Sequence, residues 1–275
     1  MYEEVTQITG KNEGPTSIIL AGVHGDEKCG VEALAKILPN LEIERGVVLI
    51  GYGNPKAIEV NERYTEANLN RMFVDDNSLT QKNKESYEYK RAQFLKPYLE
   101  KADALLDIHA SSIPKSKAFA ICEPNAKDLV KFLPVNLVVS GFDKVELGAT
   151  DYYMNNNRKI GICLECGYLG DQQGTKIAEE NIYGFLRARG HLENNASPQQ
   201  QSYIRMYQKY FTKTDNFTLS KPFENFEVLE KGQVIGIDGQ EEIKTSKESV
   251  ILFAHNRNKS GSEAFLLGEK KESLV

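Results

Sequence analysis

The chain has 275 residues, 40% apolar and 27% charged, with a formal net charge of −5 at neutral pH, enough for one large domain or a large domain with a small one. The negative balance argues against nucleic acid as a partner, since phosphate binding needs a basic face. No apolar run reaches the length of a membrane span, and Met1-Tyr2-Glu3-Glu4-Val5 lacks the basic-then-apolar pattern of a leader, so a cytoplasmic protein without membrane contact is expected.

In chain order, the β-branched run 16–21 reads as a strand and 31–38 as an amphipathic helix. A strand follows at 46–50, a long charged helix at about 86–101, and further strands at 105–109, 118–122, 137–139 and 160–165. Residues 174–189 read as a helix. This alternation predicts an α/β layer fold with a parallel or mixed sheet. The character changes near Gly190: 191–202 is polar and suits a linker or surface loop, and 223–253 shows short alternating runs punctuated by Gly232, Gly236 and Gly239. Lys231 to Gly239 reads as strand, turn, strand, so the tail is expected to form a small β module.

The chemistry concentrates at Gly22-Val23-His24-Gly25-Asp26-Glu27, where two metal-ligand residue types sit three positions apart at the exit of a buried strand. A second histidine, His109, ends the apolar run 104–108. Two imidazoles and a carboxylate make the ligand set of an open catalytic zinc site, although a single His is more often a satisfied core residue. Asp107 lies two residues before His109 and could face the same way, or cap the sheet edge. Glu165 stands in the apolar run Gly161 to Gly167, where a carboxylate needs a partner or a task. It is the candidate base for a water molecule; a structural ion pair is the plainer alternative. Arg71 with Asn70 offers a planar fork and an amide suited to a carboxylate, and Arg63 could stabilise an oxyanion, but spacing alone does not establish these roles. Cys163 and Cys166 form a lone C-x-x-C, best read as two reduced small hydrophobes.

His24-Gly25-Asp26-Glu27, Gly53-Asn54-Pro55, Arg63 with Asn68-Leu69-Asn70-Arg71-Met72-Phe73, Asp107-Ile108-His109 and Leu164-Glu165-Cys166-Gly167 occur in one order. Together they resemble the succinylglutamate desuccinylase and aspartoacylase family, a branch of the zinc carboxypeptidase fold. The resemblance covers about residues 16 to 190 and touches the tail through Lys231-Gly232-Gln233-Val234 and Glu263-Ala264-Phe265. It implies a three-layer α/β/α core with a mixed sheet over 1–195 and a C-terminal β domain over 196–275 that narrows the entrance. It also implies one zinc per chain on His24, Glu27 and His109, with Glu165 as general base and acid. Arg63 would polarise the scissile carbonyl, and Asn70 and Arg71 would hold the substrate's carboxylate.

The implied reaction is hydrolysis of a small N-acyl amino acid. Aspartoacylases carry an Arg in the segment before the catalytic Glu, where this chain has Asn155, with Arg158 closer in. They also carry a Tyr in the tail, where this chain has Asn258. Both departures bear on an acidic substrate, not on the hydrolytic residues. The alternatives are a carboxypeptidase-like peptidase, which a narrowed entrance disfavours, and a non-catalytic metal-bound sensor of acyl amino acids, which Glu165 disfavours. The oligomeric state is left open, a homo-oligomer included.

Overall fold

A computed structural model describes residues 3–193 and 197–274; the expected domain boundary between 195 and 196 lies outside the described residues. The first strands are β1 (Thr6–Thr9), β2 (Asn12–Ala21), β3 (Arg45–Tyr52), β4 (Ala104–Ser111), β5 (Phe119–Cys122), β6 (Leu137–Ser140) and β7 (Ile160–Tyr168). The tail adds β8 (Ser202–Phe211), β9 (Phe217–Leu219), β10 (Glu227–Leu229), β11 (Val234–Asp238), β12 (Glu241–Lys244), β13 (Ser249–Leu252) and β14 (Glu263–Lys271).

Strands β2, β4 and β7 lie side by side in parallel at the centre of a large mixed sheet. Their sequences are apolar at successive positions because helices cover both faces. On β2, Ile19 and Ala21 pack with Leu34 of the helix Lys28–Ile37 and Phe185 of the helix Gly174–Ala188. Ile18 and Leu20 turn the other way, against Leu95 and Leu99 of the helix Tyr87–Lys101. Ser86 caps that last helix by accepting the Tyr89 amide, so its start falls where the sequence placed it. The result is the expected α/β/α sandwich. The direction reverses at β5, which runs antiparallel to β7 and makes the sheet mixed.

The tail departs from a simple appended module. β8 pairs parallel with β6, and β14, β13 and β10 follow antiparallel, so the large sheet continues without a break in its ladder. A separate antiparallel sheet contains β12, β11 and β9 and packs Phe217 and Ile235 with Phe265. The strand–turn–strand expected over 231–239 is instead a single strand, β11, with Gly236 in its middle. A Cβ on Gly236 would lie 2.6 Å from the Thr218 carbonyl oxygen, so this glycine serves the close approach of β9 rather than a turn.

The parallel register places the functional edge. Ala21 aligns with Ile108 and His109 with Glu165, so the chain leaves β2, β4 and β7 at one level along the sheet. In α/β sheets the carboxyl ends of strands are where ligands gather.

Candidate functional site

After β2 the chain turns at Gly22, whose φ of 67° is a left-handed conformation that costs glycine little. Gly25 then runs flat against the helix Pro55–Val60, where a Cβ would sit 2.0 Å from the Ala57 carbonyl carbon. This close fit turns His24 and Glu27 inward, and Glu27 becomes the N-cap residue of the helix Lys28–Ile37. His24, Glu27, His109 and Glu165 are all buried.

The Glu27 carboxylate lies between two imidazoles. His24 Nδ1 is 2.8 Å from Oε1 and His109 Nδ1 is 2.8 Å from Oε2. On the far side of His24, Nε2 is 3.1 Å from Asn68 Oδ1, and that same oxygen accepts the Asn70 amide at 2.9 Å. Asn68 therefore presents an acceptor to His24 Nε2. Burial pulls the His24 pKa below its ordinary value, against the pull of Glu27, which keeps the ring in the neutral form that binds metal.

His109 Nε2 lies 3.1 Å from Asp107 Oδ2, and that oxygen also accepts the Thr150 hydroxyl. Burial alone would lower the His109 pKa, but the carboxylates of Asp107 and Glu27 outweigh it and hold the value well above the usual range. Glu27 is held well below its usual range: burial pushes up, and both histidines more than offset it. One donor atom from each of His24, Glu27 and His109 lies within 4.8 Å of the others. Two nitrogens and a carboxylate oxygen, converging in a buried cluster, fit a divalent metal.

Glu165 stands beside His109 on the neighbouring strand. Its Oε2 is buried without a hydrogen-bond partner. Burial, then the negative charge of Glu27, pushes its pKa up to about 8, against His109 and Arg63. A carboxylate poised in that range exchanges protons near neutrality.

These groups open into a cavity of about 320 Å³, lined also by Arg63, Asn70, Arg71, Glu146, Asp151 and Cys163, and by Phe253, His255, Arg257 and Glu263 from the tail. The structure thus brings every site residue expected from the sequence to one cavity, though not every one is free. Arg63 pairs with Glu27 Oε1 at 2.9 Å. Arg71 donates to the Asn70 carbonyl at 2.8 Å and pairs with Glu146, while Asn70 Oδ1 accepts the Thr150 amide at 3.3 Å. Cys163 faces the cavity and Cys166 packs in the core on the other side of the sheet, so the C-x-x-C does not act as a pair.

The aligned departures place no cation here. Asn155 is spent on the Gly161 amide and on Asp143, and Arg158 and Asn258 are exposed. Glu146, Asp151, His255 and Arg257 were not anticipated; only Glu263 lay in a motif the sequence singled out.

The segment carrying Arg63 and Asn68 has little regular structure and is held by Glu88, a fully buried residue of the helix Tyr87–Lys101. Glu88 accepts from the amides of Thr65, Glu66 and Ala67, the Thr65 hydroxyl and the Asn54 amide group. Burial would raise its pKa, but these donors outweigh it and hold it below 4.5. Glu88→Ala should lose about 2–4 kcal/mol of stability, because several donors are left without their acceptor. The folded pKa being depressed, the wild-type advantage is complete above the unfolded pKa and fades as pH falls through the folded value. Thermal unfolding of both proteins across that range checks it; a gap that persists unchanged in acid would contradict it.

Fold and site together define an α/β/α protein with a buried His–Glu–His group that could hold a metal ion, in a cavity at the carboxyl edge of its sheet. The chain belongs to the succinylglutamate desuccinylase/aspartoacylase family, whose catalytic-domain model matches residues 13–188. It is 28% identical over 273 residues to succinylglutamate desuccinylase of Shewanella baltica strain OS185, across 86% of this chain and 77% of that one. With succinylglutamate desuccinylase of Pseudomonas aeruginosa PAO1 it shares 35% identity over 74 residues, 26% of this chain but only 22% of that relative's length. The solved succinylglutamate desuccinylase of Vibrio cholerae superposes with a TM-score of 0.82 at 20% identity, covering 97% of this chain and 85% of that one. Among the described residues no helix is long and apolar enough to cross a membrane.

Proposed function

We propose that this protein is a zinc-dependent amidohydrolase that removes the acyl group from a small N-acyl amino acid. The observation that carries the reading is the convergence of His24, Glu27 and His109 on one point with Glu165 beside it in the same cavity. His24, Glu27 and His109 would hold one zinc per chain, which when bound polarises a carbonyl and makes water acidic enough to ionise near neutrality. Asn68 holds the His24 ring from behind by a hydrogen bond, and the Asp107 carboxylate lies 3.1 Å behind the His109 ring.

Glu165 takes a proton from the attacking water as the new C–O bond forms, and returns it to the nitrogen as the C–N bond breaks. The products are a carboxylate and a free amine. Arg63 steadies the negative oxygen that develops on the carbonyl, releasing part of its hold on Glu27. Asn70 and the unused N–H groups of Arg71 receive the substrate's carboxylate.

The tail from residue 196 acts as a β domain that closes one wall of the cavity, with Phe253, His255, Arg257 and Glu263 facing inward. Such a wall suits small substrates better than peptide chains. Amine release from N-acetyl, N-succinyl and N-formyl amino acids, compared with dipeptides and longer peptides, separates these readings. Release from one or a few acyl amino acids, with peptides untouched, is expected; cleavage of peptides alone would replace the proposal with a peptidase. Binding of acyl amino acids without any release would make it a sensor.

A further inference from the structure

Four charged side chains from four separate segments meet at Arg71. Arg71 ends the short helical turn Leu69–Arg71, Glu146 follows the helix Phe142–Val145, Lys209 lies on β8, and Glu263 opens β14. The backbone holds these segments together: the Phe73 amide donates to the Gly148 carbonyl at 3.1 Å, and β14 pairs with β8. Arg71 pairs with Glu146 and lies 3.8 Å from Glu263 Oε2. Lys209 Nζ is 2.9 Å from Glu146 Oε1 and 3.6 Å from Glu263 Oε2. Arg71, Glu146 and Glu263 all line the cavity.

The two carboxyl groups also hydrogen-bond to each other. Ionised carboxylates only accept, so this contact requires a proton on one of them. Burial, then Glu146, pushes the Glu263 pKa up to about 7, against Arg71 and Lys209. Burial would raise Glu146 as well, but Arg71, the hydrogen bond from Glu263 and Lys209 outweigh it and hold it below its ordinary value. The proton therefore sits on Glu263. Arg257, from the segment between β13 and β14, also faces Glu263 and donates to its backbone carbonyl.

Charge balance within the ion-paired group decides what Arg71 can offer. With Glu146 and Glu263 both ionised, Arg71 and Lys209 are answered charge for charge, and a third carboxylate at Arg71 is repelled by both acids. With a proton on Glu263, one positive charge is left over, and Arg71 presents it to the cavity.

Resting on the proposed deacylase reading, we infer that Glu263 determines whether Arg71 accepts the substrate's carboxylate: protonated, it leaves Arg71 a net positive charge, and ionised, it cancels that charge. Glu263 acts through Arg71 and is a positioning residue, while Glu146 anchors the guanidinium. The sign follows from linkage. A bound carboxylate favours protonated Glu263, so binding takes up a proton wherever free Glu263 is ionised. Affinity is complete below about 7 and falls as pH rises through that value, by at most about tenfold per pH unit.

Two measurements test this. The first is NMR titration of the zinc-loaded protein with isotope-labelled glutamate carboxyl groups, Glu263 being the resonance lost in Glu263→Gln. Its midpoint should lie at about 7 in the wild type. In Glu146→Gln it should drop by about one unit or more, since the neighbouring negative charge is gone. An ordinary carboxylate midpoint in the wild type, or one indifferent to Glu146→Gln, would overturn the inference. The second is steady-state hydrolysis of the best acyl amino acid. KM should rise with pH above about 7 in the wild type and stay level in Glu263→Gln, whose neutral amide mimics the protonated acid, while the pH dependence of kcat follows Glu165 in both. A purely structural role would change KM or stability without changing the slope of KM against pH. A level wild-type KM, or a rise that survives Glu263→Gln, would also overturn it. If Glu263→Gln does not fold, the wild-type KM profile decides alone. If no acyl amino acid is hydrolysed, the deacylase reading falls, and the shared proton stands or falls on the titration.

Discussion

Glu165→Gln should lower the rate of amine release by at least about two orders of magnitude, the usual scale for removing a positioned general base. Zinc content should stay at one per chain, since Glu165 is not among the converging ligand atoms. The side chain is nearly isosteric and its Oε2 makes no hydrogen bond in the free protein, so the substitution removes proton transfer with little change in packing. Losing a buried carboxylate whose pKa is already pushed up to about 8 should, if anything, leave the fold as stable or more so. Rate and unfolding temperature together separate the roles. A slow, stable, metal-loaded variant fits the base; a fast one removes Glu165 from the mechanism, and a slow, unstable one returns it to structure.

The second large effect is expected at the metal ligands. His109→Ala should weaken zinc binding by more than about a hundredfold, because even partners behind a ligand are worth 10–100-fold. The loss has a stability signature as well. In the wild type, zinc should raise the unfolding temperature, since an ion that binds only the folded state stabilises it by mass action. In His109→Ala that rise should vanish, with Glu27 left facing a single imidazole. Metal analysis after gel filtration, with melting curves with and without added zinc, reads both. Unchanged zinc content in the variant would break the assignment of His109 as a ligand.

The parts of the site that were legible in the sequence are those carried on single strand ends. His24 and Glu27 follow β2 within a few residues, His109 lies near the end of β4, and Glu165 is a charge inside an otherwise apolar strand. In each case the local pattern states both burial and a reason to doubt a structural role. Arg63, Asn70 and Arg71 were identifiable through resemblance, but their partners were not.

That Arg71 is engaged by Glu146 depends on a contact between segments far apart in sequence. The inward residues of the tail depend on β8 lying beside β6 and β14 beside β8, a long-range pairing with no local signature. Asp151 carried no signal in the sequence, and the packing of the helix Thr150–Asn156 turns it into the cavity. Gly236 was misread because a glycine inside an alternating run signals a turn and a close strand approach equally well.

The most direct test is to strip the protein of metal and record amine release from its best acyl amino acid while zinc is returned stepwise. Release should be absent at the start, rise in proportion to added zinc and level off at one equivalent per chain, with Glu165→Gln binding the same equivalent and staying slow. Full release from the metal-free protein, or release that ignores added zinc, would contradict a hydrolytic centre built on His24, Glu27 and His109.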